Sequence, residues 1–172
     1  MIKKIKMNKR KKPVKLGFTL IEIIVVLFVV SLGMIGVLSL IIQNIQGENI
    51  NKNSIAAYQL AQEGVELIRK TRDTNWKNSV AFNQGLSVGS YYMSYLDTTP
   101  NPLTNDSQGN LYKNSNGFYV HDSGTLTKFN RIIEITAPTA YSMIVRSQVS
   151  WEEHNQVYSY EVDTALFDWL NP

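Results

Sequence analysis

The chain has 172 residues, 44% of them hydrophobic, 10% aromatic and 18% charged. That is room for one domain and an appendage, and it excludes wholesale disorder, which needs few apolar residues and high net charge. There is no cysteine, so disulfides, thiolate zinc sites, iron–sulfur clusters and thiol nucleophiles are excluded. Two histidines, His121 and His154, are too few for a histidine-rich metal site. The net charge of +3 is unevenly spread. Residues 1–17 hold eight of the 17 basic residues (Lys3, Lys4, Lys6, Lys9, Arg10, Lys11, Lys12 and Lys15) and no acid. The remainder keeps nine basic against 14 acidic residues and is mildly acidic.

From Phe18 to Ile42 run 25 residues with one charge, Glu22, and three other polar side chains, Thr19, Ser31 and Ser39. At a rise of about 1.5 Å per residue this spans roughly 37 Å as a helix, enough for a bilayer core of about 30 Å. No polar face breaks the run, as one would in a core helix. It exceeds the roughly 7–15 residues of a secretory h-region, and no small-residue cleavage site follows at Gln43-Asn44-Ile45-Gln46. Positive charge ahead of the span predicts a cytoplasmic residue 1–17 segment and an exported remainder. A basic tail so close to the membrane, with no groove-reading or aromatic residues, gives no expectation of specific nucleic-acid binding. Glu22 is the anomaly. A carboxylate costs about 2.5–3.5 kcal/mol at mid-bilayer and less near the headgroups. Either it lies near the interface or it meets a cation, and the span itself contains none.

Gly17-Phe18-Thr19-Leu20-Ile21-Glu22, after a basic leader and before an apolar helix, resembles the type III signal of type IV pilins and pseudopilins. The likeness covers Lys15 to about Ile42. It implies cleavage between Gly17 and Phe18 by a membrane aspartyl prepilin peptidase, N-methylation of Phe18 by the same enzyme, and assembly into a filament. The physics agrees. Glycine lets the backbone enter a protease cleft without steric penalty. The new amine on Phe18 is the cation Glu22 lacks, four residues away on one helix face. The resemblance implies that the pairing that matters joins the amine of one subunit to Glu22 of its neighbour. Two features depart from the family. The proline many members carry midway along the apolar segment is Ser39 here, although Ser31, Gly33 and Gly36 weaken helix propensity and would allow local loosening. The cysteines that close a C-terminal loop in many pilins are absent.

Past the span the pattern turns amphipathic. Ala57, Leu60, Ala61, Gly64 and Ile68 recur at three- and four-residue spacing, with charged residues on the other faces. One helix is expected from about Thr19 to about Asp73, its second half packed on a sheet, with i,i+4 ion pairs Glu66–Lys70 and Arg69–Asp73. Ala61-Gln62-Glu63-Gly64-Val65-Glu66-Leu67-Ile68-Arg69, then Arg72-Asp73 and Asn75-Trp76, is similar to the minor pilins labelled type IV pilus modification proteins, the PilV kind.

Residues 77–125 read as irregular, with turn signals at Pro100, Pro102, Gly109 and Asn116-Gly117 and a short strand at Tyr91-Tyr92-Met93-Ser94-Tyr95. Asp97, Asn105, Asp106, Asn110 and Asp122 are oxygen ligands of the type calcium takes, but they lack EF-hand spacing, and such loops are ordinarily solvated turns. Asn105-Asp106-Ser107 is a glycosylation triplet. Asn116-Gly117 suits a turn before strand sequence at Phe118-Tyr119-Val120, and three longer strands follow. Phe129, Arg131, Ile133 and Ile135 face one way; so do Met143, Val145, Ser147, Val149 and Trp151, and then Tyr158, Tyr160, Val162, Thr164 and Leu166. Short links near Pro138–Ala140 and Glu152–Gln156 favour an antiparallel meander.

No catalytic constellation emerges. His121-Asp122-Ser123 are neighbours in sequence and so point to alternate sides of a strand. His154 lies in a polar turn, and both histidines are expected to be exposed. Phosphate loops and zinc motifs are missing. No enzyme, cofactor or metal is expected.

The expected fold is α+β and pilin-like: one long N-terminal helix on a C-terminal antiparallel sheet. The expected division is a leader 1–17, a membrane and filament-core half-helix 18–42, an amphipathic half-helix 43–76 and an exported β-rich domain 77–172. The expected function is a structural subunit, minor pilin or pseudopilin, of a type IV pilus or a related type II secretion or competence filament. Its partners would be the prepilin peptidase/methyltransferase, other pilin or pseudopilin subunits, an inner-membrane assembly platform and membrane lipid. Its place would be the cytoplasmic membrane, then a filament at the cell surface. The alternative is a single-pass anchored binding protein that never polymerises.

Overall fold

The computed structural model describes residues 17–169; the expected leader up to residue 16 lies outside the described residues. Helix α1 runs Leu20–Lys77. The chain divides into two units, Met1–Gln46 and Gly47–Pro172.

In the first unit, residues 17–19 are non-helical and the rest of the described segment is α1. The helix carries on without a break through Ser31, Gly33, Gly36 and Ser39. Ser31 Oγ donates back to the carbonyls of Leu27 and Phe28, both at 2.9 Å, which satisfies a hydroxyl that would otherwise face hydrocarbon. Every large apolar side chain from Leu20 to Ile42 is 47% or more exposed. One helix has no second layer of its own to bury against, so this surface needs lipid or other chains.

The second unit is α+β, as expected. Its helical part, residues 47–77, buries Ala57, Leu60, Ala61, Gly64, Val65, Leu67, Ile68 and Thr71, one stripe at helical period. Strands β5 (Thr125–Thr139), β6 (Ser142–Glu153) and β7 (Gln156–Phe167) form an antiparallel meander. Along the outer edge of β5 lie β1 (Gly89–Tyr92), which pairs near Ile133, and β3 (Asn110–Lys113), which pairs near Leu126–Asn130. Beyond them are the two-residue strands β2 (Asn101–Pro102) and β4 (Tyr119–Val120), making seven strands among the described residues.

The inner faces of β5 and β6 are those the alternation predicts: Phe129, Arg131, Ile133, Ile135, Met143, Val145, Ser147, Val149 and Trp151 are all buried. On β7 only Leu166 is buried; Tyr160 stays exposed and its ring meets Tyr58 of α1 edge-on at 5.3 Å.

Three expectations change. The helix ends at Lys77, about one turn past Asp73. The expected irregular stretch is more ordered than its composition suggests: beside the expected short strand, seen as β1, and the expected Asn116-Gly117 turn, seen with Gly117 at φ +85° ahead of β4, it holds β2, a 3-10 turn (Asp106–Gly109) and β3. The ion pairs on α1 are Glu66–Arg69 at 2.5 Å and Arg72–Asp73 at 2.7 Å, not the i,i+4 pairs. Arg72 lies with its guanidinium 4.3 Å over the Trp76 ring.

The core has two apolar clusters. One joins Val65, Leu67 and Ile68 to Ile133, Ile135, Met143 and Val145; the other joins Ala57, Leu60 and Ala61 to Phe129, Val149 and Trp151. In sequence, Gly64, Arg131 and Ser147 fall between these groups on helix, β5 and β6. A Cβ on Gly64 would overlap the Ser147 hydroxyl and sit 3.2 Å from Arg131 Cδ. Glycine here is a packing requirement. Gly64→Ala gains about 1 kcal/mol of helix propensity but overpacks the core, which costs about 1–3 kcal/mol. We expect a lower melting temperature for Gly64→Ala in the full chain, and recovery in Gly64→Ala/Ser147→Ala, measured by thermal unfolding in detergent. Equal melting for wild type and Gly64→Ala contradicts this packing account.

Candidate processing and assembly site

The candidate residues Gly17, Phe18 and Glu22 lie at the first turn of α1. Thr19 forms the boundary. Its carbonyl accepts the first helical bond from Ile23 N–H at 3.2 Å, and its Oγ1 accepts from Glu22 N–H at 3.3 Å. That is an N-cap, and Thr19-x-x-Glu22 has the spacing of a capping box. Gly17 and Phe18 precede the cap and are exposed, Phe18 to 80%. Phe18 and Glu22 line one groove together with Ile23, Val26 and Leu27. An acid in the first turn also sits well against the positive end of the helix dipole.

The other candidate residues are dispersed. The Asp97 carboxylate accepts from Ser94 N–H at 2.8 Å and Asn101 Nδ2 at 3.1 Å. Asn105 caps the 3-10 turn, accepting from Ser107 N–H at 3.0 Å, and Asn110 Oδ1 accepts from Asn130 Nδ2 at 3.0 Å. Asp122 is exposed. These are turn-building roles. Among the described residues no group of three or more His, Asp or Glu side chains is placed to hold a metal ion.

His121 departs from the expectation of an exposed loop histidine. Its ring is part-buried against Tyr92, centroids 5.4 Å apart, with Nδ1 3.1 Å from the Gln108 carbonyl. Asp122 and Ser123 are exposed beside it and form no relay with it. His154 is exposed at the β6–β7 turn. There His154 and Asn155 take φ +52° and +60°, the left-handed pair a tight hairpin turn demands.

Two residues carry more than the sequence reading gave them. Thr19 was legible from its spacing to Glu22. Arg131 was legible as a charge among inward-facing strand positions. It is 0% exposed. Its Nη1 donates to the Leu60 carbonyl at 3.1 Å and its Nη2 to the Met93 carbonyl at 2.7 Å; Glu63 lies at 3.4 Å. Burial pushes the guanidinium below its ordinary range and Glu63 pulls it back. The residues of the second resemblance also have structural partners. Asn75 Nδ2 donates to the carbonyls of Phe82 and Gln84, and Trp76 Nε1 donates to Asp168 at 3.1 Å.

Residues 13–38 match the prokaryotic N-terminal methylation motif. Comparison with curated proteins and with solved structures gives no match. The matched stretch covers the leader end, Gly17, Phe18, Glu22 and most of the apolar helix, and it stops before the Ala61–Trp76 segment. Motif and apolar helix together fit a prepilin-type pilin subunit, with a transmembrane helix by length and composition. The motif marks a substrate of processing and methylation rather than an enzyme.

His121 generates a pH prediction. Burial is the main cause that lowers its pKa from 6.5 to about 4; Arg131 lowers it further, while bonds to the Gln108 and Asn110 backbone and the Asp97 charge oppose. The unfolded chain therefore binds a proton near pH 6.5 and the folded chain only near pH 4. Stability from this group is fully present above pH 6.5 and is lost as pH falls towards 4. The loss is on the order of 2–3 kcal/mol. We expect melting temperature to fall between pH 7 and 4, and the slope to flatten in His121→Gln. An unchanged slope in that variant contradicts the assignment.

Proposed function

We propose that the chain is a structural subunit of a type IV pilus or of a related type II secretion or competence filament. It enters the membrane as a prepilin, is cut between Gly17 and Phe18, and is N-methylated on Phe18. It then joins the filament through its apolar helix. The observation that carries this reading is the methylation motif at residues 13–38 running straight into an uncovered apolar helix whose one charge is Glu22. A simple membrane anchor has no use for either the junction or the carboxylate.

Each residue has a role in this reading. Gly17 lets the backbone lie extended in the peptidase. Phe18 supplies the new amine. Glu22 meets the amine of the neighbouring subunit, and because desolvated charges must be paired, the pair selects the axial register. The partners are the prepilin peptidase/methyltransferase, other pilin or pseudopilin subunits, an inner-membrane assembly platform and lipid. The eight basic residues of 1–17 support a cytoplasmic leader and an exported second unit. The Ala61–Trp76 block supports a minor pilin of the PilV kind.

Intact mass of the protein extracted from membranes of cells that hold the peptidase tests the reading. The expected mass lacks residues 1–17 and carries one methyl group on Phe18. Gly17→Val should block the cut, because a β-branched side chain restricts the backbone and crowds the cleft. An intact leader on the wild-type chain in such cells refutes the proposal.

A further inference from the structure

We infer that Thr19 is a positioning residue for cleavage: by capping α1 it holds the Gly17–Phe18 peptide outside the helix. This rests on the reading of that peptide as the processing junction. A peptidase takes its substrate in extended form, so the scissile amide must lie outside helical geometry when it is bound. In the structure residues 17–19 are non-helical and α1 begins at Leu20. Among the described residues Thr19 sets that boundary, with its carbonyl on Ile23 N–H and its hydroxyl on Glu22 N–H.

The neighbouring residues show why the boundary depends on this side chain. Leu20 and Phe18 have no capping group. The next residue upstream able to cap a helix is Gly17, since glycine ranks just below threonine and far above alanine or leucine. Removing the Thr19 hydroxyl therefore moves the favoured start of the helix to Gly17 and draws Phe18 into the first turn. Serine and asparagine at 19 keep the cap. The cap has a second effect. The Glu22 N–H is satisfied by Thr19, and among the described residues the Glu22 carboxylate makes no return bond to Thr19 N–H. The carboxylate stays free for a cation.

The test uses the full chain in membranes with a prepilin peptidase, following the rate of leader loss for wild type, Thr19→Ala, Thr19→Ser and Thr19→Asn. Thr19→Ala should be cut roughly five-fold more slowly, the fold-change that about 1 kcal/mol of capping gives. Thr19→Ser and Thr19→Asn should be cut at the wild-type rate. In detergent micelles the backbone carbon shifts of Phe18 should become helical in uncut Thr19→Ala and stay non-helical in uncut Thr19→Ser. Equal rates for wild type and Thr19→Ala overturn the inference. So do Ser and Asn variants as slow as Ala, which would mean that the peptidase reads the threonine itself, and so do unchanged Phe18 shifts. A wild-type chain that is never cut is a different result: it removes the processing reading, and this inference with it.

Discussion

An apolar helix surface with one carboxylate in it sets the terms for the rest of the molecule. Residues 20–42 offer their large apolar side chains to the surroundings, and Glu22 stands among them. Lipid satisfies the first feature and not the second. A neighbouring chain with the same apolar surface and an amine at its start satisfies both. The methylation motif covers residues 13–38, so on the proposed reading the cut that makes the amine falls in the same stretch as most of the surface that needs it.

The second unit solves a different problem. It has no disulfide and holds its helix to a sheet by packing, with one charged side chain inside the core among the described residues. Arg131 ties β5 to the helix backbone at Leu60 and to the segment after β1 at Met93. A buried guanidinium is costly unless bonded, so a helix slipped along the sheet would lose these bonds and leave the charge unpaired. Gly64 and Ser147 make the room for its stem. At the far end of the helix Trp76, covered by Arg72 and met edge-on by Trp169, and the Trp76–Asp168 bond join α1 to the end of β7.

Much of this was legible because the periods are long. A 25-residue run with only four polar side chains declares a span, and three alternating runs of five or so residues declare β5, β6 and β7 with their inner faces. Of the strands of two to four residues, β1 and β4 are marked only roughly, by the aromatic run at Tyr91–Tyr95 and by the Asn116-Gly117 turn before Phe118–Val120, while β2 and β3 contain too few positions for a period to show. The pairing of β1 and β3 is decided by the edge of β5, a neighbour distant in sequence. The ion pairs of α1 differ from the i,i+4 reading because an i,i+3 partner is equally in reach on a helix: Arg69 meets Glu66, and Asp73 is held by its neighbour Arg72. His121 was misread as exposed because nothing local shows that Tyr92 and Gln108 would come to lie against it. Arg131 stood on the inward face in the alternation, but its backbone partners came only from the tertiary fold.

The charge pair between chains is the central claim, and Glu22→Leu tests it most directly. For an anchor the change is an improvement, since it removes an insertion cost. For a filament subunit it leaves the amine of a neighbour buried without a partner, a loss of about 3–5 kcal/mol. The measurement compares wild type and Glu22→Leu for leader loss, membrane residence, and recovery in sheared filaments or in cross-links to other pilins. The account predicts a variant that is cut and membrane-resident but missing from filaments and cross-links. Wild-type levels of Glu22→Leu in those assemblies would contradict it.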